Sequence, residues 1–97
     1  MNEIRLIRLT SGEEILVTML KENELRTTVK NPVLLIPNKN QIGFMPYLSY
    51  CEIETLEIKE DHIMFNLIPT DDLKKQYEAM VHGPDKIKTP EILKILT

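Results

Sequence analysis

The chain has no tryptophan, one cysteine, three glycines and two phenylalanines. A lone thiol, Cys51, can form neither an internal disulfide nor a multi-thiolate metal site, so it is expected to be a small buried or half-buried side chain in a reducing compartment. No apolar run approaches the ~18 residues that a membrane-crossing helix needs. Glu3, Arg5 and Arg8 interrupt the residues where a signal peptide would carry its apolar region, which makes a cytoplasmic chain the expectation. Excess charge is also missing. Twelve Lys and Arg stand against fifteen Asp and Glu, a net charge of −3, so any contact with phosphates must come from a local patch. No nucleophile elbow, phosphate loop or paired-thiol motif is present. His62 and His82 stand too far from other ligands to form a metal motif. Glu13-Glu14, Glu60-Asp61 and Asp71-Asp72 fall in turns or at a helix start, where solvated acids are ordinary and general acid–base work is not implied. These absences predict a chain with no catalytic residues, no cofactor, no metal and no small-molecule substrate.

Ninety-seven residues, 42% of them apolar and 28% charged, describe one globular domain with a thin core. Strand chemistry fills the first two thirds. Glu3 to Leu9 is a β-branched, partly alternating run, and Thr10-Ser11-Gly12-Glu13 is a turn in which Gly12 tolerates positive φ. Glu14 to Leu20 resumes with Ile15, Val17 and Met19 on one face. Leu16 and Leu20 break the alternation, as in a strand buried on both sides. Lys21-Glu22-Asn23-Glu24 is the next turn, and Leu25 to Ile36 reads as a long third strand. Pro32 lacks a ladder N–H and so must mark a bulge, bend or edge. Pro37-Asn38-Lys39-Asn40 turns the chain into a fourth strand, Gln41 to Leu48. Leu56 and Ile58 lead into a polar turn at Lys59-Glu60-Asp61-His62, and Ile63 to Ile68 is the last strand.

The period then changes. Thr70 is a helix cap followed by Asp71 and Asp72, which favour the first turn. Leu73, Tyr77, Met80 and Val81 share one helical face until Gly83-Pro84 ends the element. Thr89-Pro90 opens a second, shorter apolar stretch through Ile92, Leu93, Ile95 and Leu96. Residues 1–69 therefore read as the β unit and 70–97 as a helix and tail packed on it, one domain in all. Phe65 and Tyr77 have core phases. Phe44, Tyr47 and Tyr50 cluster with Met45, a pattern of core or subunit contact or, as the alternative, of base stacking.

Leu6-Ile7-Arg8-Leu9-Thr10-Ser11-Gly12-Glu13-Glu14-Ile15 resembles the first motif of the Sm-like (Lsm) fold. Ile58-Lys59-Glu60-Asp61-His62-Ile63-Met64-Phe65 looks like the second. With Asn31-Pro32-Val33-Leu34, Met45-Pro46-Tyr47 and the helix start at Pro69, the course from the N-terminus to Tyr77 is similar to divergent short Sm-like proteins encoded by marine bacteriophages of the cyanophage type. That resemblance implies a mainly β fold, a small bent five-stranded Sm-like barrel with an added C-terminal α-helix. It implies a non-enzymatic homo-oligomeric ring of about five to seven subunits, in which the last strand pairs with the fourth strand of a neighbour. Phe44, Met45, Tyr47, Ile63, Phe65 and Leu67 are the expected interface. RNA would be held by Lys21, Asn23, Arg26, Thr27 and Lys59 in pore-side loops. Five family positions differ: Asn23 and Thr27 stand where RNA-binding members carry an aspartate and an asparagine, Arg26 stands where an apolar residue would, and Lys59-Glu60 replaces an arginine–glycine pair. The alternative is therefore a phage-encoded protein-binding assembly or adaptor module without RNA, acting in the host-cell cytoplasm.

Overall fold

A computed structural model describes residues 3–48, 51 and 55–82 of the chain. β1 (Ile4–Leu9), β2 (Glu14–Glu22), β3 (Arg26–Asn38), β4 (Gln41–Pro46), β5 (Thr55–Lys59) and β6 (Ile63–Leu67) form one antiparallel sheet, and α1 (Asp71–His82) follows. A 3-10 turn at Glu60–His62 joins β5 to β6. Six strands thus replace the five expected from sequence. Thr55–Lys59 is a strand because Leu56 and Ile58 alternate with polar residues and sit opposite Val29 and Thr27 of β3. Two apolar residues in five carry too little period to be read in isolation.

The strand order is β4-β3-β2-β1-β6, with β5 also paired to β3. β3 is thirteen residues long, so β2 runs along one edge while β5 (opposite Arg26–Lys30) and β4 (opposite Val33–Asn38) share the other. This arrangement dictates curvature. In a flat sheet β5 and β6 would lie four strand spacings apart, about 19 Å. The chain from Lys59 to Ile63 spans at most about 14 Å. The sheet must therefore curl. Its ends are not joined by a ladder among the described residues, so the curled sheet is open.

Local chemistry sets the bends. Gly12 adopts φ +96°, and the turn is tied by the Gly12 amide donating to the Leu9 carbonyl and the Leu9 amide donating to Glu13, each 2.8 Å. At Asn31-Pro32 the register steps from Leu16↔Val33 to Thr18↔Lys30, leaving one extra residue in β3. Asn31 takes φ +50°, and the proline falls at the bulge where no ladder N–H is required. A second bulge at Leu20 separates Met19↔Val29 from Lys21↔Thr28.

Two apolar layers result. Ile7, Leu9, Ile15, Val17, Met19, Val29 and Ile58 fill the inside of the curl. Leu16, Val33 and Phe44 face outward and are covered by Tyr77, with Leu73, Met80 and Val81 of α1 beside it. β2 is buried on both sides as its sequence implied; one side is the interior and the other lies under the helix. The Thr70 hydroxyl accepts from the Leu73 amide at 3.3 Å, the expected cap. Tyr77 is fully buried. Its hydroxyl lies 2.8 Å from Thr18 Oγ1 and 2.9 Å from the Asn31 carbonyl. A phenol has one proton, so it donates to the carbonyl and accepts from Thr18. Burial raises its pKa to about 12, against an opposing influence of the Thr18 bond.

Two expectations are corrected. Phe65 does not have a core phase: it is 51% exposed. β1 pairs Arg8↔Phe65 and then Leu9↔Ile63, so Met64 is a bulge residue and the face of every later β6 side chain is shifted. Cys51 is exposed, not buried, because it lies in the connection after β4, outside both apolar layers. Tyr50, the tail from Gly83 onward and the His82 side chain fall outside the described residues.

Candidate functional site

The five residues expected to contact RNA meet at one end of the sheet, but not on equal terms. Lys21 lies at the end of β2 and Asn23 in the turn to β3. The Asn23 side-chain oxygen is occupied, accepting from the amides of Leu25 (2.8 Å) and Arg26 (2.9 Å). Thr27 is fully buried and its hydroxyl donates to the Glu60 carboxylate. Strand alternation explains this: Thr27 shares the inward face with Val29, and Glu60 closes over it from the 3-10 turn. Both residues therefore build the loop and present little to a ligand. Arg26 and Lys59 do present charge. They are exposed and sit directly opposite in the β3–β5 ladder. Lys21 lies opposite Thr28, and Thr28 and Lys30 follow Arg26 at two-residue steps, so all four cations share the outer face. The sequence could not show that juxtaposition, since β5 joins β3 from some thirty positions away.

The expected interface residues separate into two groups. Phe44 belongs to the layer under α1 and Ile63 packs on the inner layer. Met45 is half-buried, opposite Leu34. Tyr47 packs against the inner layer and donates from its hydroxyl to Glu13 Oε1 at 3.0 Å. Its pKa is raised, first by burial and then by the Glu13 hydrogen bond and charge. Phe65 and Leu67, in contrast, are 51% and 53% exposed, and Met64 and Ile68, which sequence phase did not single out, are 51% and 64% exposed. All four lie on or beside β6, which among the described residues pairs only with β1. β6 thus offers an unpaired, uncharged backbone edge lined with apolar side chains, the arrangement that monomeric proteins avoid. β4, at the far end of the sheet, is also uncharged and carries half-exposed Ile42. Asn66 faces the interior beside Ile7, and its Oδ1 is buried without a hydrogen-bond partner.

A hollow of about 450 Å³ opens where the Thr10–Glu13 turn meets Tyr47, Leu56, Ile58 and His62. The Thr10 amide donates to the His62 carbonyl at 2.8 Å and fixes the 3-10 turn against this end of β1. His62 is exposed, and among the described residues no three His, Cys, Asp or Glu side chains group to hold a metal ion. No described helix is long and apolar enough to cross a membrane. Compared with family models and with curated proteins, the chain matches none.

Proposed function

We propose that this chain is a non-enzymatic, self-assembling Sm-like protein whose curled sheet acts as a bent barrel. In this reading β6 of one copy pairs with β4 of the next and the contact closes into a ring. The observation that carries it is the exposed, uncharged β6 edge at one end of the sheet, with a second uncharged edge strand at the other. The likeness of Leu6–Ile15 to the first Sm motif supports it, as does the three-residue 3-10 link that draws β5 and β6 together. Head-to-tail pairing would satisfy both edges and bury Phe65 and Leu67 at once. Sedimentation equilibrium of the chain beside Phe65→Lys is the test. The wild type should sediment as a closed oligomer of about five to seven copies and the variant as a folded smaller species. A wild-type monomer at micromolar concentration would refute the ring and leave the protein-binding adaptor as the better account.

RNA contact is the second reading, and one observation favours it. Like charges directly opposite in a ladder are destabilising, yet Arg26 and Lys59 oppose each other with Lys21 and Lys30 on the same face, where Glu57, opposite Thr28, offsets only part of the charge. A bound phosphate backbone would offset that repulsion. Binding of short uridine- or adenine-rich RNA should weaken steeply with salt, and removing Arg26 and Lys59 together should flatten the slope of log affinity on log salt by roughly 1–2. RNA that is not retained at low salt would exclude this role.

A further inference from the structure

The hollow beside Tyr47 has chemistry that the ring and the RNA face do not use. Leu9, Leu56 and Ile58 give it an apolar floor, and Ser11, Glu13 and Tyr47 form one polar wall. Its volume, about 450 Å³, lies within the range of sites for small ligands. The wall is pre-organised. Ser11 Oγ and Tyr47 Oη each donate to the same Glu13 oxygen, Oε1, at 3.0 Å. Ser11 in turn accepts from the Glu13 amide at 3.4 Å. Both hydroxyl protons are therefore spent, and what these three side chains still offer can only accept: Glu13 Oε2 and the remaining lone pairs of Ser11 and Tyr47. A ligand group facing them brings donors, and a positive charge matches the Glu13 carboxylate, with Glu57 a second carboxylate in the lining. Lys59 and His62 also line the opening. Neither enters an ion pair with Glu13, the pairs among the described residues being Arg5–Glu3 and Arg8–Glu14.

We propose that this hollow binds a small organic cation, an ammonium head on an apolar arm, with Glu13 Oε2 and Tyr47 Oη receiving the head and Leu9, Leu56 and Ile58 the arm. The Tyr47 ring supplies a further attraction for a cation lying over its face. The site includes no residue of β6 and touches the Arg26–Lys59 face only through Lys59 at its rim, so it can be tested independently of assembly.

The test is an amide-resolved NMR titration of the full chain with benzylammonium, beside neutral benzyl alcohol and anionic benzoate. Saturable shifts are expected around Ser11, Glu13 and Tyr47 with Kd on the order of 1 mM. Benzyl alcohol and benzoate should bind at least about tenfold more weakly, the worth of one charge-assisted hydrogen bond. Glu13→Gln should weaken benzylammonium about tenfold, whereas Glu14→Gln, outside the hollow, should leave its affinity unchanged. Tyr47→Phe keeps the ring, removes one receiving atom, and should weaken binding severalfold. Shifts that do not saturate by ~10 mM on the wild type overturn the proposal. So do equal affinities for benzylammonium and benzyl alcohol, which would show an apolar dent with no recognition of charge.

Discussion

Replacing Tyr77 by phenylalanine isolates the bond that fastens α1 to the sheet. The ring stays, so the outer layer over Leu16, Val33 and Phe44 keeps its packing and no sizeable cavity opens. What disappears is one hydroxyl, leaving Thr18 Oγ1 and the Asn31 carbonyl unpaired under the helix. A net hydrogen bond contributes about 0.5–1.5 kcal/mol, and a buried group left without a partner costs about 1–3 kcal/mol. The loss at neutral pH should therefore be about 2–3 kcal/mol, read as a lower urea midpoint with unchanged slope. The alkaline limb gives an independent check. The folded-state pKa is raised from 10.0 to about 12. Tyr77 thus stabilises fully below pH 10, and its contribution is lost as the pH climbs from 10 toward 12. Wild type should lose stability over that window faster than Tyr77→Phe, and the two midpoints should converge. Both proteins must be compared at one concentration, because self-association shifts apparent stability. A variant within about 0.5 kcal/mol of wild type, the scatter of surface substitutions, would mean that α1 is not anchored through this hydroxyl.

Other perturbations separate backbone, edge and cap. Gly12→Ala should cost about 1 kcal/mol purely through its φ of +96°, since an added Cβ meets nothing within 4 Å; a neutral thermal melt would refute the turn geometry. Asn66→Lys places a charge beside Ile7 on the interior face and should destabilise by about 2 kcal/mol or more, whereas Phe65→Lys, on the outer face, should leave the urea midpoint of the dissociated chain within about 0.5 kcal/mol of wild type. The opposite ranking would show that the Met64 bulge is absent. Thr70→Ala removes the acceptor of the Leu73 amide and should cost about 1 kcal/mol, read by helical circular dichroism on heating.

Features written in short-range chemistry were legible from the sequence. Gly12 declared a positive-φ turn, Pro32 a bulge, Thr70 a cap, and the Leu16 that broke alternation in the second strand marked burial on both faces. Features that depend on register were not. Thr27 falls within the expected third strand yet reads as a pore-side contact until its pairing with Ile58 of β5 shows it turned inward against Glu60. Phe65 reads as core until the Met64 bulge shifts the face, exposing Phe65 and Leu67 and turning Asn66 in. β5 is too short to declare itself, and with it went the opposition of Arg26 to Lys59. The expected interface mixed core residues with edge residues for the same reason. Phe44 and Phe65 are chemically alike, and only their strand neighbours tell the covered ring from the exposed one.

Hydrogen exchange on β6 tests self-assembly through the open edge most directly. Among the described residues, the Ile63 amide donates to the Glu60 carbonyl, and amides of Met64–Leu67 that do not bond to β1 have no partner within one copy. If the edge pairs with another copy, these amides should be protected at high protein concentration, lose protection on dilution, and exchange freely at all concentrations in Phe65→Lys. Rapid exchange of the same amides at every concentration in the wild type, with β1 and β2 fully protected, would contradict it.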